Sequence, residues 1–487
     1  MCTNKAIQPR FYHALIPVVF LAAALGYTQY YAKQPPHFIL FASGMIAAAV
    51  AVFWLKQKWS DLQQGMIESI KMSLEPIIIL MVVSMVIATW IVSGIVPAMI
   101  FYGLKVLSPG IFLPASLIMC AIVSMASGSS WTTAATIGIA LMAIGYGLGI
   151  PQPITAGAVI SGGYMGDKLS PFSETTNLAP AMAGSKLVEH IRHMMYTTLP
   201  AFLIAVILFA IIGSRYSDAY LSTENINSVL NVMQQKFVIS PFLLVVPAII
   251  LYMVIKKFPA IPGLFIGAFL GGLVAFFVQK ASLSDILVAL QSGYKCTSGN
   301  VVVDSLMSRG GLESMLSTIA LILCAISFGG IMEKSGMLSV LANGILKIAK
   351  STGQLIAATV ITPLLVNVFA GDQYIAIIIP GRMFKSAYVA RGLHPKNLSR
   401  TLEDSGTLLS PLIPWNSCGA FMIATLGLTP WTYVPYCFLN WLCPIIAIIY
   451  GFTGYSIARL NEEETTGKRV VPAEPDVVDD MEVEPAA

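Results

Sequence analysis

Long apolar runs follow one another through this chain: Phe11–Tyr27, Phe38–Leu55, Pro76–Val92, Ile111–Met125, Met194–Gly213, Val238–Ile255, Pro259–Val278, Leu316–Ile331, Leu355–Val368 and Trp431–Ile457. Several approach the roughly 20 residues that a membrane-crossing helix needs. In hydrocarbon every backbone N–H and C=O must be bonded inside the protein, so a chain built from such runs has helices as its means of crossing. Only 11% of the 487 residues are charged, against about 25% in soluble domains. The sequence therefore predicts an all-α polytopic membrane protein with about 10–12 membrane segments.

Charge sets an orientation. Lys5 and Arg10 precede the first run, which reads as a retained span rather than a cleaved signal. Lys56 and Lys58, Lys256 and Lys257, and Arg459, Lys468 and Arg469 mark cytoplasmic loops. Both termini are then cytoplasmic, in the cell inner membrane. The formal charge of +4 has no clustered basic face, which excludes nucleic acid as a partner. The seven cysteines are scattered, without CxxC or metal-like spacing, and read as packing residues. Ser214–Gln235 reads as the longest clear loop of the first half, and the acidic stretch from Glu462 as a disordered cytoplasmic tail. Gly263, Gly267 and Gly271 form a small-residue stripe, suited to packing within the chain or, alternatively, to a homodimer interface.

The most polar membrane stretch is Gly163–Gly184, GYMGDKLSPFSETTNLAPAMAG. It gathers Asp167, Lys168, Ser170, Ser173, Glu174, Thr175, Thr176 and Asn177, punctuated by Gly166, Pro171 and Pro180. Oxygen-bearing side chains on a broken helix are tolerated at membrane depth where they line a cavity and bind something.

The second half repeats the first. Ser93-Gly94 and Leu104-Lys105 return as Ser335-Gly336 and Leu346-Lys347, an offset of 335 − 93 = 242. Ser127–Trp131 lines up with Ala370–Tyr374, since 371 − 128 = 243, and Leu169-Ser170-Pro171 with Leu409-Ser410-Pro411, since 409 − 169 = 240. Asn177 then meets Asn416 with one gap. The charge pattern starts the two copies on opposite sides, the inverted-repeat plan of many secondary transporters, with re-entrant hairpins and broken helices. The divisions are N-terminal spans (1–60), first repeat (61–213), linking spans (214–312), second repeat (313–458) and tail (459–487).

In this pairing Asp167 corresponds to Thr407 and Asp372 to Ser129, so each copy supplies a carboxylate that the other lacks. That division points to one shared site for a hard cation. Candidate cation and proton ligands are Asp167, Asp372, Glu174, Ser170, Thr175, Thr176, Asn177, Asn416, Ser410 and Ser129, with Asp167, Asn177 and Asp372 foremost for Na⁺. Asp372 has the alternative role of a helix cap, and Asp167 that of an ion-pair partner for Lys168. Arg382, Glu403 and Asp404 read as a solvated face. Glu189-His190-Ile191-Arg192-His193 lacks the His-Glu-x-x-His order of a zinc protease and reads as a basic helix end at the interface. With no phosphate-binding loop and no nucleophile constellation, the chain reads as a carrier rather than an enzyme, without cofactor.

The segments SGSSWTTAATIG (127–138), GDKLSPFSETTNLAPAMAG (166–184) and HIRHMMYTTLPA (190–201) resemble the NhaC-type Na⁺/H⁺ antiporter family. The resemblance runs from about residue 70 to 455 and implies an ion-transporter-superfamily fold and Na⁺/H⁺ exchange. It also implies a second cargo, because the family includes malate/lactate exchangers. On this reading a carboxylate in the cavity, Asp167 with Asp372 or Glu174, holds Na⁺ or H⁺ but not both, and Na⁺, H⁺ and the lipid bilayer are the partners.

Overall fold

The computed structural model describes residues 7–460, apart from 29, 30, 32, 33, 107, 218–222, 257, 300–302, 305 and 306. The acidic tail lies outside these residues. Among them the chain is helical, with a single isolated β-bridge, Leu393 to Arg459.

The first half runs α1 (Phe11–Tyr27), α2 (His37–Ala49), α3 (Trp59–Met72), α4 (Leu74–Val92), α5 (Ile95–Val106) and α6 (Pro109–Ser127). After Gly128 come α7 (Ser130–Thr133), a π-helical turn, α8 (Ile139–Gly147), α9 (Gln152–Leu169), α10 (Glu174–Ala183) and α11 (Leu187–Ser217). Linking helices α12 (Thr223–Lys236), α13 (Val245–Ile255), α14 (Ala260–Phe277) and α15 (Leu283–Ser292) follow. The second half is α16 (Leu316–Lys334), α17 (Met337–Ile348), α18 (Thr352–Ala370), α19 (Gln373–Ala390), α20 (Pro395–Leu402) with its π-helical continuation Glu403–Thr407, α21 (Ser417–Leu426) and α22 (Phe438–Thr453).

Among the described residues seven helices are long and apolar enough to cross a membrane, or eight if the bent pair Leu230–Lys236 and Pro241–Ile255 counts as one span. The sequence count was higher because it included interrupted segments, which the structure divides into helices that are short or polar. Ser214–Gln235 is also corrected: α11 continues to Ser217 and α12 occupies most of the remainder.

Helix breaks fall at the same places in the two halves. Gly128 (φ 72°) and Gly371 (φ 67°) adopt the left-handed conformation after α6 and α18, where a side chain would be strained. Gly184 and Gly427 do the same after α10 and α21, as do Gly94 and Gly336 between α4 and α5 and between α16 and α17. The residues that cap α10 and α21 are Ser173 and Asn416. Cap to cap, 416 − 173 and 427 − 184 both give 243, the same offset as Gly128 to Gly371. This register corrects two pairings made from the sequence. Ser173, not Asn177, is the counterpart of Asn416, and Asp167 faces Ser410 rather than Thr407. Both Leu-Ser-Pro segments lie at the break before the capped helix, Leu169–Pro171 before α10 and Leu409–Pro411 before α21, but outside the 243-residue register.

Side chains repeat the same bonds. Ser124 Oγ donates to the carbonyl of Gly163 at 2.5 Å, and Asn367 Nδ2, 243 residues on, to that of Gly406 at 2.8 Å. The halves also clasp each other. Trp131 of α7 stacks on Phe421 of α21 at 4.1 Å, while its counterpart Tyr374 of α19 donates its hydroxyl to Glu174 of α10.

Contacts fix which ends lie together. The start of α6 meets the end of α11, where a Cβ on Gly213 would lie 2.6 Å from the Gly110 oxygen. The start of α18 meets the end of α22 through Gly353 and Phe452. Helices α11 and α22 run antiparallel, pairing Phe209 with Phe438 and Tyr196 with Tyr450. The α6 and α18 hairpins therefore enter from opposite ends of that pair.

Helix α9 lies so close to α6 that a Cβ on Gly162 or Gly166 would come within 2.2 Å of a backbone oxygen of α6. The Gly267 and Gly271 stripe of α14 is filled from within the chain, by Trp90 and Thr89 of α4, and Trp90 Nε1 donates to the Gly267 carbonyl at 3.0 Å. Packing within the chain accounts for the stripe.

Candidate functional site

Helix α9 must stop at Leu169 because Pro171 cannot continue it, and the chain turns through Ser170–Ser173 before α10 begins. That break leaves Asp167 on the last turn of α9, beside the break after α6. Ser129 caps α7 there, its hydroxyl accepting from Thr132 N at 3.1 Å. The next residue, Ser130, holds the Asp167 carboxylate, with its backbone N at 3.0 Å and its Oγ at 2.7 Å from Oδ2. Two donors on one buried carboxylate are what an ion-binding acid needs to be kept in a single orientation.

A cavity of about 460 Å³ opens at this point. Its polar lining includes Ser129, Asp167, Ser173, Glu174, Thr175 and Gln373, and Glu75 and Phe258 lie on its wall. First-half residues dominate it, and the second half contributes Gln373 and Tyr374. Among the described residues lining it are three carboxylates, Glu75, Asp167 and Glu174, and neither a lysine nor an arginine.

The remaining candidates divide between lining the cavity and bracing it. Glu174 opens α10 and accepts from Tyr374 across the two halves. Thr175 lines the cavity and donates to Glu403 Oε1 at 2.9 Å. Thr176 closes the α9 end, donating to the carbonyls of Asp167 and Lys168. Ser170 accepts from Phe172 N, and Asn177 ties the turn by donating to the carbonyls of Pro171 and Ser173. In the second half Asp372 is the N-cap of α19, its Oδ1 accepting from Tyr374 N at 2.8 Å and Ile375 N at 3.2 Å. Asn416 caps α21, and Ser410 donates to the carbonyl of Thr407. Neither Asp372, Asn416 nor Ser410 is among the cavity-lining residues.

Behind the cavity is a charged cluster that reads quite differently from the sequence. Lys168 forms an ion pair with Asp404, both side chains fully buried, and Thr197 Oγ1 donates to the same carboxylate oxygen at 3.1 Å. Glu403 is also fully buried. The solvated-face reading of Glu403 and Asp404 is thus overturned, and Lys168 pairs with Asp404 rather than its neighbour Asp167. Arg382 is exposed as expected. The two histidines of the Glu189–His193 segment are likewise buried rather than interfacial. His190 Nδ1 lies 2.9 Å from Ser399 Oγ, and His193 Nε2 lies 3.2 Å from Asn397 Oδ1. With Thr197 and Asp404 they form a polar seam between α11 and α20. The spacing 190, 193, 197 on one helical face was the available signal for it.

The family model described as Na⁺/H⁺ antiporter family matches residues 162–455, which contain the α9–α10 break, the buried ion pair and the whole second half. The chain belongs to the Na⁺/H⁺ antiporter family. Among its relatives in this family, the Na⁺/H⁺ antiporter NhaC of Alkalihalophilus pseudofirmus is 41% identical over 90% of this chain and 94% of its own length. NhaC of Bacillus subtilis is 41% identical over 86% and 92%. The malate-2H⁺/Na⁺-lactate antiporter of Bacillus subtilis is 36% identical over 90% and 93%.

Proposed function

We propose that this protein is a secondary transporter that exchanges Na⁺ for H⁺ across the cytoplasmic membrane, with Asp167 as the carboxylate that binds the cation. The observation that carries this reading is the cavity lining, which holds carboxylates and hydroxyls and, among the described residues, no cationic side chain. Such a shell suits a hard cation dehydrated onto oxygen. Asp167 is the carboxylate held there by two donors, with Ser129, Ser173 and Thr175 hydroxyls on the same wall. Relatives named as Na⁺/H⁺ antiporters support the same cargo.

Exchange of malate and lactate, the activity in the name of one relative, is the second reading. An organic anion needs a cationic or helix N-terminal partner in the cavity. Lys168, next to Asp167 at the end of α9, is committed to Asp404 and does not line the cavity.

Orientation follows from charge. The cavity wall includes Glu75, Val254 and Ala260, next to Lys71 and Lys256. The positive-inside bias puts that mouth toward the cytoplasm, so this conformation is the inward-open state of an alternating-access cycle between two inverted halves.

The test is a proteoliposome with an imposed pH gradient, to which Na⁺, Li⁺, K⁺, malate and lactate are added in turn. Na⁺ collapses the gradient in the wild type, and Asp167→Asn abolishes the response while still inserting. Undiminished Na⁺-dependent proton movement in that variant rejects Asp167 as the ligand, and collapse by malate or lactate alone rejects the cation reading.

A further inference from the structure

The mouth of the Asp167 cavity and the far end of α4 lie on opposite sides of the protein. Glu75 marks the mouth, and Ile91 is 91 − 75 = 16 residues along the helix, about 24 Å away. At that far end is a second, much smaller cavity of about 20 Å³. Its lining includes Ile87 and Ile91 of α4, Met142 of α8, Gln152 at the start of α9, Thr425 near the end of α21, and Arg309. A short chain of contacts joins the two cavities. Trp131 lines the Asp167 cavity and stacks on Phe421, and Thr425 follows Phe421 by one turn on the same face of α21. The Thr425 hydroxyl is buried and, among the described residues, has no hydrogen-bond partner.

Arg309 is held in place by backbone. It is followed by Gly310 and Gly311, both left-handed, and the turn lies against α4. Gly311 N donates to the Ser84 carbonyl at 3.0 Å, and a Cβ on Gly310 would come within 2.6 Å of Ala88 N. The guanidinium reaches the C-terminus of α21, where a Cβ on Gly427 would collide with Nη1. Helix α10 ends in the same way 243 residues earlier, since a Cβ on Gly184 would lie 2.8 Å from Lys385 Nζ. Lys385 is exposed, however, whereas Arg309 is half-buried. A cation suits a helix C-terminus, but the bond from Nη1 to the Leu426 carbonyl is long, at 3.5 Å. Among the described residues Arg309 forms no ion pair, and no carboxylate lines its cavity. A neutral amide would cap the same carbonyl without the cost of drawing a guanidinium out of water. The charge therefore has another use. The cavity has room for about one water, which excludes an organic anion as its partner. A fixed positive charge in a narrow passage repels cations.

Resting on the Na⁺/H⁺ reading and the inward-open orientation above, we infer that Arg309 is the charge barrier that stops Na⁺ from crossing the extracellular side while the Asp167 cavity is open to the cytoplasm. The stacked rings of Trp131 and Phe421 close the passage. The guanidinium, one turn of α21 beyond them, excludes a cation from the free Thr425 hydroxyl whenever the rings part. Without that charge Na⁺ crosses with no proton in return, and coupling is lost.

The experiment uses proteoliposomes carrying wild type, Arg309→Gln or Arg309→Lys, at equal pH on both sides, with an inside-negative potential set by K⁺ and valinomycin. Uptake of ²²Na⁺ is compared with proton efflux. Arg309→Gln should raise the ratio of Na⁺ taken up to protons released by about tenfold or more, and Arg309→Lys should keep the wild-type ratio. A wild-type ratio in Arg309→Gln overturns the inference. An equal leak in Arg309→Lys overturns it too, because shape rather than charge then seals the passage. Should Arg309→Gln fail to fold, Thr425→Cys in the presence of Arg309 decides. In right-side-out vesicles it should react with an anionic methanethiosulfonate about tenfold faster than with a cationic one, relative to their rates with a free thiol. Equal rates, no reaction, or reaction in inside-out vesicles alone refutes the barrier. A wild type that moves no protons when Na⁺ is added would instead remove the Na⁺/H⁺ reading itself, whereas a coupled wild type beside an equally coupled Arg309→Gln removes this inference alone.

Discussion

Two aspartates that look alike in the sequence are held differently in the structure. Asp167 and Asp372 each sit at a break beside a left-handed glycine, and each is the acid missing from the other half. The structure separates them by what their oxygens accept. Asp167 is held by Ser130 on the cavity wall, whereas Asp372 spends Oδ1 on two backbone N–H groups at the head of α19. Capping by Asn is about as good as by Asp, and loss of a cap to Ala costs about 1 kcal/mol. Asp372→Asn should therefore keep both stability and Na⁺-driven exchange, while Asp372→Ala lowers stability by about that amount, read as unfolding in detergent. Loss of exchange in a stable Asp372→Asn protein would return Asp372 to the ligand set. The place of Asp167 on a cavity wall was legible because so many oxygens crowd one broken stretch. Glu403 and Asp404 were not, because Arg400, Lys396 and Asp404 together look like a solvated turn. Only the meeting with Lys168, 236 residues earlier, turns that stretch into a buried ionic cluster.

Among the elements, the seam between α11 and α20 explains how a strongly polar helix is held inside the protein. Helix α20 carries Asn397, Ser399 and Arg400, all fully buried. Ser399 Oγ meets both His190 Nδ1 and Ser185 Oγ at 2.9 Å. Ser399→Ala would leave the buried His190 Nδ1 without its partner, at about 1–3 kcal/mol for one buried group left unsatisfied, whereas Ser185 is half-buried. The expected result is a clear loss of thermal stability in detergent with the Na⁺ dependence of exchange unchanged in the folded fraction. A fully stable variant would show that water replaces the hydroxyl and that the seam is wet. The helical periodicity of α11 made its apolar face readable, but the histidines lay on a face whose partner the sequence could not name. The glycine stripe of α14 posed the same problem with a simpler answer, because α4 brings Trp90 and Thr89 to fill it.

The whole molecule is held together by reciprocity: the aromatic residue after each break reaches the other half's short helix, Trp131 to α21 and Tyr374 to α10. A clasp of that kind is expected of two copies related by an axis in the membrane plane. The near-constant offset between the halves was legible and returns in the helix breaks, but the pairing of the caps was not, because helix caps are read from backbone geometry and Leu-Ser-Pro was a stronger textual match than Ser173 with Asn416. Orientation can be tested without reference to transport. Lys105 ends α5 beside the start of α6, and Lys347 ends α17 beside the start of α18; both are exposed. Since α6 and α18 start at opposite ends of the α11/α22 pair, single cysteines at the two positions should lie on opposite faces of the membrane. Lys347→Cys should react with a membrane-impermeant maleimide in inside-out vesicles and Lys105→Cys in right-side-out vesicles, each shielded in the other preparation. Reaction of both from one side would mean that the halves are parallel. The cavity beside Asp167 would then have no mirror-related state to open toward the far side, and alternating access by exchange of the two halves' conformations would have to be abandoned.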